Sequence, residues 1–271
     1  MAYKNELIDL AKETFNHFNY LKSNHRVVKS SIPILFFGNI EKYFNSNLKV
    51  VTVALNPSDQ EFLKKDKNTP LEKPRFNFLD QISKNQDPKL YLKSLSGYFN
   101  KDNNPYNNWF DRNLEKIMNG LDVSFYSNRT KNRAIHTDIC TPIATSPTWG
   151  GLTKDEKEMF VHDGYKIWLK LIKILKPQKI LISVGEKYLK EFKFIDPEIL
   201  SRNKPQSFTK DVVYNKDANL NSKNIKVFKH KEIPNIKIYK GQNNSGNPFG
   251  NIAYKEGNKE IKYVSELIMS N

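Results

Sequence analysis

The sequence predicts a single α/β domain over residues 1–271, with a mostly parallel central sheet and helices on both of its faces. Three observations predict it. Val50-Val51-Thr52-Val53-Ala54-Leu55 is a nearly uninterrupted apolar, β-branched run, as a strand buried on both faces is, and Ala134 to Ile139 and Lys179-Ile180-Leu181-Ile182-Ser183-Val184-Gly185 are the second and third strand candidates. Helical periodicity fills the stretches between them, which implies parallel strands joined by crossovers. No repeat or linker divides a chain whose length suits one sizeable domain.

In chain order, Leu7, Leu10, Ala11, Phe15, Phe18 and Leu21 recur at helical spacing and predict a helix over 5–22. A short apolar run, Ile34 to Gly38, precedes the first strand, which breaks at Asn56-Pro57-Ser58. Residues 59–75 are charged and carry Pro70 and Pro74, so they read as a loop. Tyr91 to Phe99 and Trp109 to Leu121 read as helices around an Asn-rich turn at Lys101 to Pro105. After the second strand comes a Pro- and Thr-rich loop ending at Trp149. Thr153 with Glu156 then forms a capping-box pattern for a long helix that stops at Lys176-Pro177. Gly185 marks a turn into another helix. Residues 194–234 are polar and Lys/Asn-rich, Ile236 to Tyr239 reads as a late strand, Gly241 to Gly250 as a loop, and Tyr263 to Met269 as a closing helix.

Composition narrows the function. At 38% hydrophobic and 12% aromatic, the chain can build a core. Lys plus Arg number 44 against 29 acidic residues, and the resulting +15 favours a polyanionic partner. Only six of the 44 are Arg and Asn is abundant, so AT-rich coding is the competing explanation of the charge. The one cysteine, Cys140, excludes an intramolecular disulfide and a four-cysteine cluster, and its apolar run suits a core residue. The polar, amphipathic start and the lack of any apolar stretch near ~18 residues lead to the expectation of a soluble, cytoplasmic protein.

No phosphate-binding glycine loop, GxGxxG, HExxH, GxSxG or CxxC occurs. In open α/β sheets ligands bind beyond the carboxyl ends of the strands, which selects 54–59, 136–149, 183–187 and 240–250. Alternation puts His136 and Asp138 on one strand face, where with Asp59 they could hold a cation for a nuclease or phosphoesterase. Asn56-Pro57-Ser58 by itself reads as an Asn-Pro turn.

In context, Ala54-Leu55-Asn56-Pro57-Ser58 resembles the Gly-hydrophobic-Asn-Pro-Gly water-positioning motif of the uracil-DNA glycosylase superfamily, most of all its mismatch-specific branch. The order of elements over roughly 30–270 is similar too. Ala54 and Ser58 stand where that motif has glycines. Gly241-Gln242-Asn243-Asn244-Ser245-Gly246-Asn247-Pro248 stands where the family's His-Pro-Ser loop follows the last strand.

The resemblance implies a monofunctional DNA glycosylase acting as a monomer, with no cofactor and no metal, on a flipped-out modified or deaminated pyrimidine. It gives Asn56 the attacking water, with Asp59 as the alternative, and Pro57 the turn. Backbone amides near Ser58 would receive the leaving base. Phe78, in preference to Phe76, would stack on the base, beside His136. Asp138 would read the base, and a carboxylate accepts from a cytosine-type amine but repels the O4 of uracil. Gln242, Asn243, Asn244 and Ser245 would engage DNA. Some bacterial members remove glucosylated hydroxymethylcytosine from phage DNA, a role compatible with these departures, alongside DNA repair. A non-catalytic basic nucleic-acid-binding module is the further alternative.

Overall fold

The computed structural model describes residues 4–100, 110–192, 194–200, 225–241, 249 and 258–271. Helix α1 (Asn5–Leu21) buries the predicted stripe, Leu7 through Leu21. A short α2 (Ile40–Phe44), capped by the Asn39 side chain on Lys42 N–H, leads into β1 (Val50–Ala54). Then follow α3 (Leu79–Asn85), α4 (Pro88–Ser96) and α5 (Lys116–Gly120), the last continuing a π-helical turn at Phe110–Glu115. Strands β2 (Val123–Ser124) and β3 (Asn132–Asp138) precede α6 (Lys154–Leu175). Strand β4 (Lys179–Ile182), α7 (Glu186–Leu189), β5 (Phe194–Leu200), β6 (Ile225–His230), β7 (Lys237–Gly241) and α8 (Asn258–Ser270) complete the described chain.

The seven strands form one sheet in the order β2-β3-β1-β4-β7-β6-β5. The first five run parallel, and β6 and β5 continue the sheet antiparallel at one edge. Strands β5 and β6 correct the reading of 194–234 as polar connection. Two-residue β2 and the short helices α2 and α3 also went unforeseen. The predicted turn at Lys101 to Pro105, and Trp109, lie outside the described residues.

Alternation along β3 shows that both faces are covered. Thr137 accepts a hydrogen bond from the Trp168 indole of α6 at 3.2 Å, while the neighbouring His136 meets the ring of Phe110 on the other face. Lys179, on the His136 side by register, donates to the Ile268 carbonyl of α8. Helix α6 begins with the predicted capping box, Thr153 and Glu156 bonding each other's backbone N–H. It ends with Lys176 in the left-handed region before Pro177. A Cβ on its Gly164 would lie 2.3 Å from the Cys140 carbonyl, so only glycine lets α6 approach the chain leaving β3. Among the described residues, no helix is long and apolar enough to cross a membrane.

Strand β1 lies between β3 and β4, in register as Ala54↔Asp138 and Val53↔Ile182. The chain moves to one side of β1 to build β3 and returns past it to build β4. The carboxyl end of β1 is therefore a topological switch point, where the diverging connections leave a crevice.

Candidate active site

A cavity of about 390 Å³ occupies that crevice. Residues 54–58 leaving β1, His136 and Asp138 of β3, and Ser183 just after β4 form its polar floor. Phe37, Phe110 and Trp149 supply aromatic walls, and Glu61 completes the lining on the charged side. A few polar groups in an apolar concavity of this size suit a small ring-shaped ligand.

The loop after β1 is held in place by the loop after β3. Backbone bonds from Ile139 N–H to Ala54 O and from Cys140 N–H to Leu55 O carry the β1–β3 pairing past the strands, and Ser58 bridges Thr145. Asn56 lies inside this stitching. Its amide nitrogen donates to the Pro57 carbonyl and to the Thr145 hydroxyl, both at 3.0 Å. Those two bonds occupy both N–H groups and fix the amide plane, leaving the Asn56 carbonyl oxygen as an acceptor at the cavity. Ser58 caps the short 3-10 turn Asp59–Glu61, accepting from Gln60 N–H.

That turn separates two acids the sequence ran together. Asp59 is buried, but it accepts from the hydroxyls of Ser58 (3.0 Å) and Ser146 (3.5 Å), lies 3.9 Å from Lys67 Nζ, and does not line the cavity. Its role is to pin the loop. Glu61, two residues on, does line the cavity. Tyr98 OH donates to it at 2.9 Å from each oxygen, Arg75 Nε is 4.0 Å away, and burial pushes the carboxyl up to about 8. Its Ser-x-x-Glu spacing from Ser58 imitates a capping box, which masks its role in the sequence.

Phe37 pairs with His136 through two backbone bonds, 2.9 and 3.0 Å, which place its ring 5.5 Å from the imidazole. Phe110 stands edge-on to the same imidazole at 5.2 Å. His136 Nδ1 lies 2.8 Å from the Thr52 hydroxyl, and burial drives the imidazole down to about 3, so it is neutral. Asp138 is raised well above the carboxylate range, by burial first and by Glu61 second.

Three buried polar atoms on this cavity have no hydrogen-bond partner among the described residues: Asp138 Oδ2, Ser183 Oγ and Trp149 Nε1. Native interiors rarely leave such groups unsatisfied, and their convergence on one void marks groups kept for a ligand. Ser183 and Trp149 fall within the strand-end segments that the sequence selects.

The aromatic assignment needs correction. Phe78 is 40% exposed, lines a separate surface depression and has φ 62°, a left-handed backbone that turns it outward, with Lys93 Nζ 5.6 Å from its ring. Phe76 is buried behind the wall, stacked on Phe62 with centroids 5.6 Å apart. The aromatic surfaces at the cavity are Phe37, Phe110 and Trp149. The alternative metal set also fails to assemble, because Asp59 turns away from His136 and Asp138, and no group of three or more such donors converges among the described residues. Gln242, Asn243, Asn244 and Ser245 lie outside the described residues. Compared with protein-family models, with curated proteins and with solved structures, the chain matches none of them.

Proposed function

We propose that the protein is a monofunctional DNA glycosylase that flips a modified or deaminated pyrimidine into this cavity and hydrolyses its glycosidic bond, leaving an abasic site. The observation that carries the reading is the Asn56 amide, whose two N–H groups are held by Pro57 and Thr145 while its carbonyl oxygen is left at the cavity.

Cleavage of an N-glycosidic bond builds positive charge on the sugar and negative charge on the departing base. An attacking water must be aligned, and a fixed neutral acceptor aligns it with no pKa to shift. Asn56 does this at the switch point. The free donors of Trp149 and Ser183 suit the charge developing on the base. The rings of Phe37 and Phe110 offer faces and edges to a flipped base. The formal charge of +15 suits a DNA partner. The uracil-DNA glycosylase superfamily remains the resemblance that joins these features, and action on phage or damaged DNA belongs to the same proposal.

The test is incubation of the full chain with genomic DNAs carrying different base modifications, followed by mass spectrometry of released bases. Free base together with abasic sites is the expected result. Cut backbone without free base would replace this reading with a nuclease, and binding without either product would replace it with a non-catalytic module.

A further inference from the structure

The Asp138 side chain is only 2% exposed, yet no partner secures it. Its Oδ2 makes no hydrogen bond among the described residues, and its Oδ1 is 3.9 Å from His136 Nε2, beyond hydrogen-bond range. Beside it in register on β1 stands Ala54, too small to cover the carboxyl. The titratable groups around it are Glu61 on the turn after β1, neutral His136 on β3 and Cys140 just beyond β3. Arg75 and Tyr98 face Glu61. A carboxyl so placed, with another acid opposite and no cation among the described residues to favour ionisation, holds its proton. It presents an O–H and a C=O side by side to the cavity.

We propose that Asp138 is the proton donor to the departing base, and that the base is a pyrimidine with an exocyclic amine beside an unprotonated ring nitrogen, as in cytosine and its 5-substituted derivatives. This rests on the glycosylase reading above. The carbonyl of the neutral acid accepts from the exocyclic amine while its O–H donates to the ring nitrogen. Uracil carries a proton on that nitrogen and has nothing there to receive another.

In the step itself, the Asp138 O–H bond breaks and its proton passes to the ring nitrogen N3. The C1′–N1 bond breaks with its electron pair staying on the base, which leaves as a neutral molecule. The water on Asn56 forms the new bond to C1′ and sheds its surplus proton to solvent. Asp138 regains a proton from solvent when the base departs, so one water is consumed and nothing else.

The experiment is single-turnover base release from oligonucleotides containing one cytosine, 5-hydroxymethylcytosine or uracil, across pH 5 to 9. Wild-type protein should release a cytosine-type base, at a rate level at low pH and falling as pH rises through the Asp138 titration. Asp138→Asn offers the same hydrogen-bonding edge without the labile proton. It should lower cytosine-type release by about 10²–10⁴ and abolish the falling limb. Equal losses on cytosine-type and uracil substrates would overturn the proposal. So would a wild-type preference for uracil, which leaves the glycosylase reading standing. Release of no base from any substrate would overturn both. The wild-type preference between cytosine-type and uracil substrates decides the matter even if Asp138→Asn does not fold.

Discussion

Two buried carboxyl sites in this molecule contrast sharply. Glu115, at the end of the π-helical turn, accepts from the Ser124 hydroxyl and from Phe125 N–H at 3.2 Å, and lies 3.4 Å from Arg129. Ser124 in turn accepts from Tyr126 N–H. Every partner is local and the group does not border the cavity. The site at the end of β1 buries Glu61 and Asp138 as deeply, but Asp138 Oδ2, Ser183 Oγ and Trp149 Nε1 face open volume without partners. Burial raises the pKa of Glu61, Glu115 and Asp138 alike. Satisfaction, not burial, separates a structural acid from one reserved for a ligand.

The largest expected effect tests the open site. Asn56→Ala keeps the backbone and removes the water's acceptor, so base release should fall by about 10²–10³ with folding and DNA binding retained. Single-turnover assays check it, and near-normal release by a folded variant would remove Asn56 from the chemistry.

Stability should respond to the acids with opposite signs. The unfolded chain releases the Glu61 proton near its ordinary 4.5, the folded chain only near 8. Raising pH through that window therefore favours unfolding, and Glu61→Gln, which can still accept from Tyr98, removes the penalty. Denaturant melts should show the variant about 3 kcal/mol more stable at pH 7, with the gain absent below pH 4.5. A gain independent of pH would place the charge of Glu61 elsewhere. At the closed site, Glu115→Ala strands Phe125 N–H and the Ser124 hydroxyl, and the same melts should show a loss of about 1–3 kcal/mol. A neutral result there would erase the distinction between the two sites.

The smallest effect belongs to Phe78→Ala. An exposed ring outside the cavity should change stability by no more than about 0.5 kcal/mol and leave base release unaltered. A marked drop in release would restore Phe78 to the site.

What could be read in advance follows from how each feature arises. Strands β1 and β4 read as apolar runs, whereas β3 is buried along its whole length although only Ala134 and Ile135 within it are apolar. Strand β6 interleaves Ile225 and Val227 with Lys226 and Lys229 at the antiparallel edge, and its lysines made it look like a solvated connection. The strand-end rule located Asn56, Pro57, Ser58, His136 and Asp138 because these leave, or end, their strands directly at the cavity. Phe37 arrives through pairing with a strand a hundred residues away, and Glu61 through a 3-10 turn inside a charged stretch. Neither has a local signature. Phe78 misled because linear order says nothing of a left-handed backbone that points a ring outward.

The central position of β1 also governs how the chain is made. Both of its edges are closed only by strands synthesised much later, β3 on one side and β4 on the other. At bacterial-to-eukaryotic elongation rates, Val50 to Ala54 waits on the order of ten seconds for β4 to follow it out of the ribosome. During that interval two rows of backbone donors and acceptors and a β-branched apolar stretch are open to any other strand. The segment that delivers Asn56 is thus the one whose correct pairing depends most on the nascent chain being shielded until its second neighbour arrives.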